Sequence, residues 1–249
     1  MADKKIKSIL ISQPKPNTEK SPYFELADKY KLKVDFRPFI HVEGVPAKEF
    51  RQDRVNILEH SAVILTSRNA VDHFFRMSEE MRANVPESMK YFCLSESTAY
   101  YLQKYVVYRK RKIFHGKQSF RDLLEVIKKH KNEKYLLPCS DIHKRNITDL
   151  LEENNIRYTK SVFYKTVCSD LSDLANVNYD MLVFFSPSGI ESLLKNFPDF
   201  KQNGTRIAVF GTTTAEAVKN AGLNIDVHAP SPGLPSMSMA IENYIKKVK

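Results

Sequence analysis

Residues 182–194 read LVFFSPSGIESLL and residues 206–218 read RIAVFGTTTAEAV. Each opens on a short apolar run, Val183 to Phe185 in one and Ile207 to Phe210 in the other. Small hydroxyl residues follow at once, and then helical periodicity. A run this short does not make a buried helix and suits a strand covered on both faces. Ser186 and Ser188, then Thr212, Thr213 and Thr214, sit where a strand hands over to a helix. The first turn of such a helix has backbone N–H groups without intrahelical partners, directed out from the C-terminal edge of the sheet. Two handovers in succession predict two helix N-termini dressed with hydroxyls, a natural seat for anions.

The same phrase occurs earlier. In HSAVILTSRNAVDHFF (60–75), Ser67, Ala70 and Val71 fall where Ser186, Gly189 and Ile190 fall. In YFCLSESTAYYL (91–102), Ser97, Thr98 and Ala99 fall where Thr213, Thr214 and Ala215 fall. This is the pattern of an internal duplication, with two similar α/β lobes each offering two hydroxyl-bearing helix starts. If the lobes face one another, the four ends converge on one cleft. Ser and Thr at a helix start are first of all N-caps, worth about 1 kcal/mol each. The repetition in both halves is what adds a binding site to that structural role.

Composition sets the class. With 42% hydrophobic and 27% charged residues in 249, the chain is an ordinary globular protein with room for two modest domains. No apolar run approaches the roughly 20 residues of a membrane helix. The N-terminal MADKKIKSILIS has no apolar signal core. Cys93, Cys139 and Cys168 are odd in number and widely spaced, which points to reduced thiols in a cytoplasm. The net charge of +10 favours an anionic partner. Part of it lies in the run Tyr108-Arg109-Lys110-Arg111-Lys112, which reads as a guarded edge strand. His41, His73 and the other histidines show no metal spacing and read as exposed polar residues.

Along the chain, short strands alternate with helices, which means βαβ units and mostly parallel sheets. Two long extended segments interrupt the alternation, Lys31 to Val45 with Pro38 inside it, and Arg157 to Val167. They divide the chain into an inserted lobe, 39–166, and a discontinuous lobe, 1–38 with 167–249. The expected fold is α/β: two similar parallel-sheet lobes joined by a two-stranded antiparallel crossover ladder.

VFYKTV (162–167), VFFSPSGIESLL (183–194), RIAVFGTTTAEAVKNAGL (206–223), LTSRNAV (65–71) and YLLPCSDIHKRNITDLLEENNI (135–156) resemble the uroporphyrinogen-III synthase family. The likeness covers nearly the whole chain, including the order of strands and the two crossovers. It implies an enzyme without a cofactor or metal that cyclises the linear tetrapyrrole hydroxymethylbilane, inverting ring D and losing water. That substrate carries acetate and propionate groups on every pyrrole, which suits a basic protein with several helix N-termini. The resemblance gives Tyr164 the role of proton donor to the leaving hydroxyl; a phenol with a pKa of about 10 stays protonated at neutral pH. Ser67, Thr98, Ser186, Ser188, Thr213 and Thr214 map onto the hydroxyl turns, and Arg145 and Arg206 onto basic positions near them that pair with carboxylates. Gln13 and Ser95 depart from the family, the first where a basic residue often follows the first strand, the second where a glycine is usual. They keep a second reading in play, a non-catalytic two-lobed module for an anionic small molecule. Nucleic acid is disfavoured, because residues 108–121 carry no recognised motif. The expected setting is the cytoplasm, away from membranes, with the chain acting as a monomer.

Overall fold

The computed structural model describes residues 5–18, 20–117, 119–142 and 145–248. In chain order the elements are β1 (Ser8–Ile11), α1 (Pro22–Tyr30), β2 (Lys33–Phe36), β3 (Ile40–Gly44), α2 (Ala47–Phe50), β4 (Ala62–Leu65) and α3 (Arg68–Glu80). Next come β5 (Lys90–Cys93), α4 (Glu96–Leu102), β6 (Ile113–His115), α5 (Phe120–Lys128), β7 (Tyr135–Ser140), α6 (Arg145–Glu153) and the long β8 (Tyr158–Cys168). The chain closes with β9 (Met181–Phe184), α7 (Pro187–Asn196), β10 (Arg206–Phe210), α8 (Thr212–Asn220), β11 (Val227–Ala229) and α9 (Met237–Lys247). Two compact units result, the first from Met1–His41 with Val167–Lys249, the second from Val42–Thr166.

The first unit holds a sheet in the order β11-β10-β9-β1-β2, parallel throughout. The second holds β3-β8-β7-β4-β5-β6. Its strands are parallel from β8 to β6. There β3 runs against β8, since Val45 N donates to Phe163 O while Ser169 N donates to Phe39 O. Leaving β3 aside, the two orders are the same. β9, β10 and β11 occupy the places of β4, β5 and β6, and β1 and β2 those of β7 and β8. In both units the order reverses beside the central strand, between β1 and β9 and between β7 and β4. Such a switch point opens a crevice at the C-terminal ends of the strands, where α/β folds bind ligands.

Alternation along the strands explains the layers. Val63 and Leu65 pack with Val71, Phe74 and Leu102 from α3 and α4. Ala62 and Ile64 face the other way, onto Leu123 and Ile127 of α5 and Leu151 of α6. In the first unit Ile9, Ile11 and Val183 meet Leu26 and Ile241 from α1 and α9, while Leu10, Leu182 and Phe184 meet Ile190 and Val218 from α7 and α8. β4 and β9 are buried along their whole length, as their unbroken apolar sequences require.

Two expectations need correction. The extended stretch Lys31 to Val45 is two strands, because Arg37 N makes the last bond to Ile11 O and Pro38 has no N–H to continue the ladder. The basic run Tyr108 to Lys112 is not an edge strand: it is loop and turn leading into β6, Ile113–His115, and Arg109 is tied to Glu87 at 3.1 Å. Between β3 and β4 the chain forms α2 and two 3-10 turns, Arg51–Asp53 and Ile57–Glu59. The pairing of β7 with β8 also hides a bulge. Cys139 faces Val162, but Ser140 faces Tyr164, so Phe163 is an extra residue on β8. Among the described residues no helix is long and apolar enough to cross a membrane.

Candidate functional site

The bulge decides where Tyr164 points. Successive strand residues normally face opposite sides of a sheet, but one extra residue re-aims the chain. Phe163 and Tyr164 therefore both join the core cluster on the α3 face. Tyr164 is 7% exposed, and its hydroxyl lies 3.5 Å from Ser67 Oγ, the N-cap of α3. Burial pushes the phenol pKa up, with Ser67 opposing it, so the group stays protonated at neutral pH. Ser67 Oγ already accepts from Ala70 N at 3.1 Å, and the contact with Tyr164 is long. That leaves the phenolic proton free to turn toward a better acceptor.

The ring of Tyr164 lies on the imidazole of His73, centroids 5.1 Å apart and planes 20° apart. His73 is half-buried, which corrects the expectation of an exposed polar residue. Its Nδ1 accepts from Arg76 Nε at 3.2 Å, and Arg76 Nη2 donates to Val45 O at 2.9 Å and to Phe163 O at 3.2 Å. Burial and the Arg76 charge lower the His73 pKa, with Asp72 opposing them. Beyond the end of β7, the Asp141 carboxylate accepts from Ser140 Oγ, Ile142 N and Thr166 N at 2.7, 2.9 and 3.0 Å. Burial raises its pKa, but these bonds together hold it below the usual carboxylate range. Nothing in the local sequence pattern marks Asp141, because its partner Thr166 is brought to it only by the pairing of β8 with β7.

The helix starts match the repeat residue for residue and differ in chemistry. Ser67 and Ser186 are both N-caps, and Thr98 and Thr214 are both third residues of their helices, 5% and 1% exposed. In the second unit the caps are closed, Ser67 Oγ onto Ala70 N and Ser95 Oγ onto Thr98 N. In the first unit neither α7 nor α8 has a side-chain cap bond. The cap of α8 is Gly211 at φ 85°, a conformation that strains any residue with a Cβ. Ser95 takes its place in the second unit at φ −140° and caps with its own hydroxyl, so the departure from glycine is absorbed locally. Ser12, another residue the sequence reading passed over, follows β1 at the first unit's switch point. A Cβ built on Gly189 would lie 3.8 Å from both Ser12 Oγ and Ser186 Oγ.

This difference predicts a split between equivalent residues. Ser67→Ala removes a working cap and lowers stability by about 1 kcal/mol, whereas Ser186→Ala removes no side-chain cap bond and costs about 0.5 kcal/mol or less. Paired thermal melts check it, and equal losses in the two variants would refute it.

The remaining candidates lie elsewhere or are differently engaged. Ser188 is half-buried in the first turn of α7, and Thr213 is exposed in the first turn of α8. Arg206 opens β10, at the opposite end of that strand from Thr212, so the expected place near the hydroxyl turns is not found. Its Nε donates to Tyr244 Oη at 2.8 Å and lies 3.6 Å from Asp226. Arg145 begins α6, but its side chain lies outside the described residues. Cys93 and Cys139 are buried, with thiol pKa values pushed up to about 12 and about 11, and are inert as nucleophiles.

Comparison with known proteins agrees with this architecture. The porphyrin biosynthesis protein HemD of Ruminiclostridium josui is 25% identical over 197 residues, which are 75% of this chain. The matched part spans 39% of that protein's length. The uroporphyrinogen-III synthetase structure from Helicobacter pylori superposes with a TM-score of 0.59 at 18% identity, covering 97% of this chain and 100% of that one. A mutant uroporphyrinogen III synthase from Thermus thermophilus gives 0.53 at 16% identity, covering 97% and 99%. These likenesses establish the two-unit fold. The family described as uroporphyrinogen-III synthase HemD matches residues 21–238, most of the sequence, and the chain belongs to that family.

Proposed function

We propose that this chain is a uroporphyrinogen-III synthase, closing hydroxymethylbilane to uroporphyrinogen III with inversion of ring D and loss of water. The observation that carries the proposal is Tyr164, a protonated, buried phenol held beside the start of α3. The lone pair of the terminal pyrrole nitrogen expels the hydroxyl and leaves an azafulvene. Departure as water needs a proton on that oxygen, and Tyr164 is the donor. Ring closure at the substituted carbon of ring D passes through a spiro intermediate, and unassisted closure gives the symmetrical isomer. Positioning therefore carries most of the catalysis, with a single weak acid at the leaving group. Overall the reaction releases one water and no net proton, so the phenol recovers its proton when the closing pyrrole becomes aromatic again.

Carboxylates of the substrate are proposed to sit at the hydroxylated helix starts, at Ser67, Thr98, Ser186, Ser188, Thr213 and Thr214. The starts of α7 and α8 lack side-chain caps, which favours them as anion seats. Arg145 completes the proposed set; Arg206 is engaged by Asp226 and Tyr244 and is assigned to holding β10. The protein is proposed to act as a monomer in the cytoplasm, a setting that suits its unpaired cysteines. The test is incubation with freshly generated hydroxymethylbilane, followed by oxidation and chromatographic separation of the isomers. Predominant type III product is expected, and only the type I isomer would overturn the proposal.

A further inference from the structure

We propose that His73 is the positioning residue for Tyr164, its imidazole being a plate, fixed by Arg76, that sets the plane of the phenol. This rests on the reading of Tyr164 as the donor to the leaving hydroxyl. Two independent features support it. The first is the stack itself, at 5.1 Å and 20°, close to parallel for two half-buried or buried rings on different elements. The second is the seat of Arg76. Its guanidinium donates to Val45 O, to Phe163 O and to His73 Nδ1, and pairs with Glu80. A Cβ on Gly44 would come within 2.5 Å of its Cζ, so the guanidinium occupies room that only glycine leaves. Arg76 thereby ties α3 to the backbone of the residue just before Tyr164 and holds the imidazole against the phenol.

The same bond selects the state of His73. With Nδ1 accepting from Arg76, the neutral ring carries its proton on Nε2, and a single tautomer results. A charged ring would set an Nδ1 proton against the Arg76 Nε proton and break the bond. The titratable groups around His73 are Arg76 and Asp72 on α3 and Tyr164 on β8, with Glu80 paired to Arg76. Asp72 accepts from the hydroxyls of Tyr101 and Tyr105 at 2.8 and 2.7 Å, so its charge is directed largely toward them. The pKa of His73 lies below the ordinary value of 6.5. The plate is therefore intact at neutral pH, and it loosens as pH falls through that lowered value.

Steady-state kinetics of type III formation between pH 5 and 8.5 test this in the wild type, His73→Ala and His73→Phe. His73→Ala is expected to lower kcat about tenfold with KM within about twofold, and His73→Phe, which keeps a flat ring, to recover most of the loss. The wild-type acid limb below pH 6.5 should be missing in His73→Phe. A kcat within twofold of wild type in His73→Ala, or a folded His73→Phe no better than His73→Ala, would overturn the proposal. A second readout needs no turnover: the 13Cζ signal of Tyr164, assigned by its loss in Tyr164→Phe, should titrate with His73 in the wild type and not in His73→Phe. A signal that ignores His73 defeats the positioning role. Unchanged turnover in Tyr164→Phe with that coupling present instead defeats the donor reading, so the two failures are told apart.

Discussion

Replacing Tyr164 with Phe lowers turnover by a factor of about five to a hundred and leaves the fold intact. The upper bound comes from what a single acid contributes. Positioned general acids are worth about a hundredfold or more, but here alignment of ring D supplies most of the rate and survives the change. The structural cost is small because, among the described residues, the hydroxyl's hydrogen-bond contact is the long one to Ser67, while the ring keeps its stack on His73. A neutral hydrogen bond of ordinary strength is worth about 1 kcal/mol, and this one is at the weak limit. KM should change less than twofold, since carboxylate recognition is proposed at the helix starts. Single-turnover measurement of type III formation, beside a thermal melt, separates the two effects. Unchanged turnover in a folded variant would remove Tyr164 from the mechanism.

The parts of this site that were legible in the sequence are those written in local pattern. A short apolar run followed by hydroxyls and helical spacing placed β4, β5, β9 and β10 and their helices. The internal repeat aligned Ser67 with Ser186 and Thr98 with Thr214 at equivalent helix positions. What was not legible depends on pairing between distant segments. The bulge at Phe163 exists only in the register of β8 on β7, so alternation alone could not tell which way Tyr164 faces. His73 reads as a polar residue six positions beyond a helix start, and it becomes part of the site through Tyr164, ninety-one residues away. Nor does a serine announce whether its hydroxyl closes a cap, as at Ser67, or leaves it open, as at Ser186. Arg206 shows the opposite error: the family resemblance placed it near the threonine turn, but it opens β10 while the turn follows that strand's other end, and a strand carries its two ends apart.

Phe163→Ala is expected to destabilise the second unit by about 3–5 kcal/mol, the range for emptying an aromatic site in a closed core. The side chain is fully buried, with Phe50 edge-on at 4.8 Å and Phe74 at 6.3 Å. Its neighbours cannot easily close the gap. β8 is held on one side by the parallel ladder to β7 and on the other by Val45 N donating to Phe163 O, with Arg76 bonded to the same carbonyl. Total stabilities are only about 5–15 kcal/mol, so such a loss takes a large share. Amide hydrogen exchange in β4, β7 and β8 reads the effect within the unit itself, and protection there should fall by about two to three and a half orders of magnitude. A fall of less than tenfold would mean that the site collapses around the missing ring. The loss reaches function through geometry: the extra residue brings Tyr164 to the α3 face only while its own side chain fills the core beneath it. Among molecules that remain folded, kcat should therefore drop alongside stability, whereas Leu151→Ala, on the other face of the same sheet, should cost stability with little change in kcat.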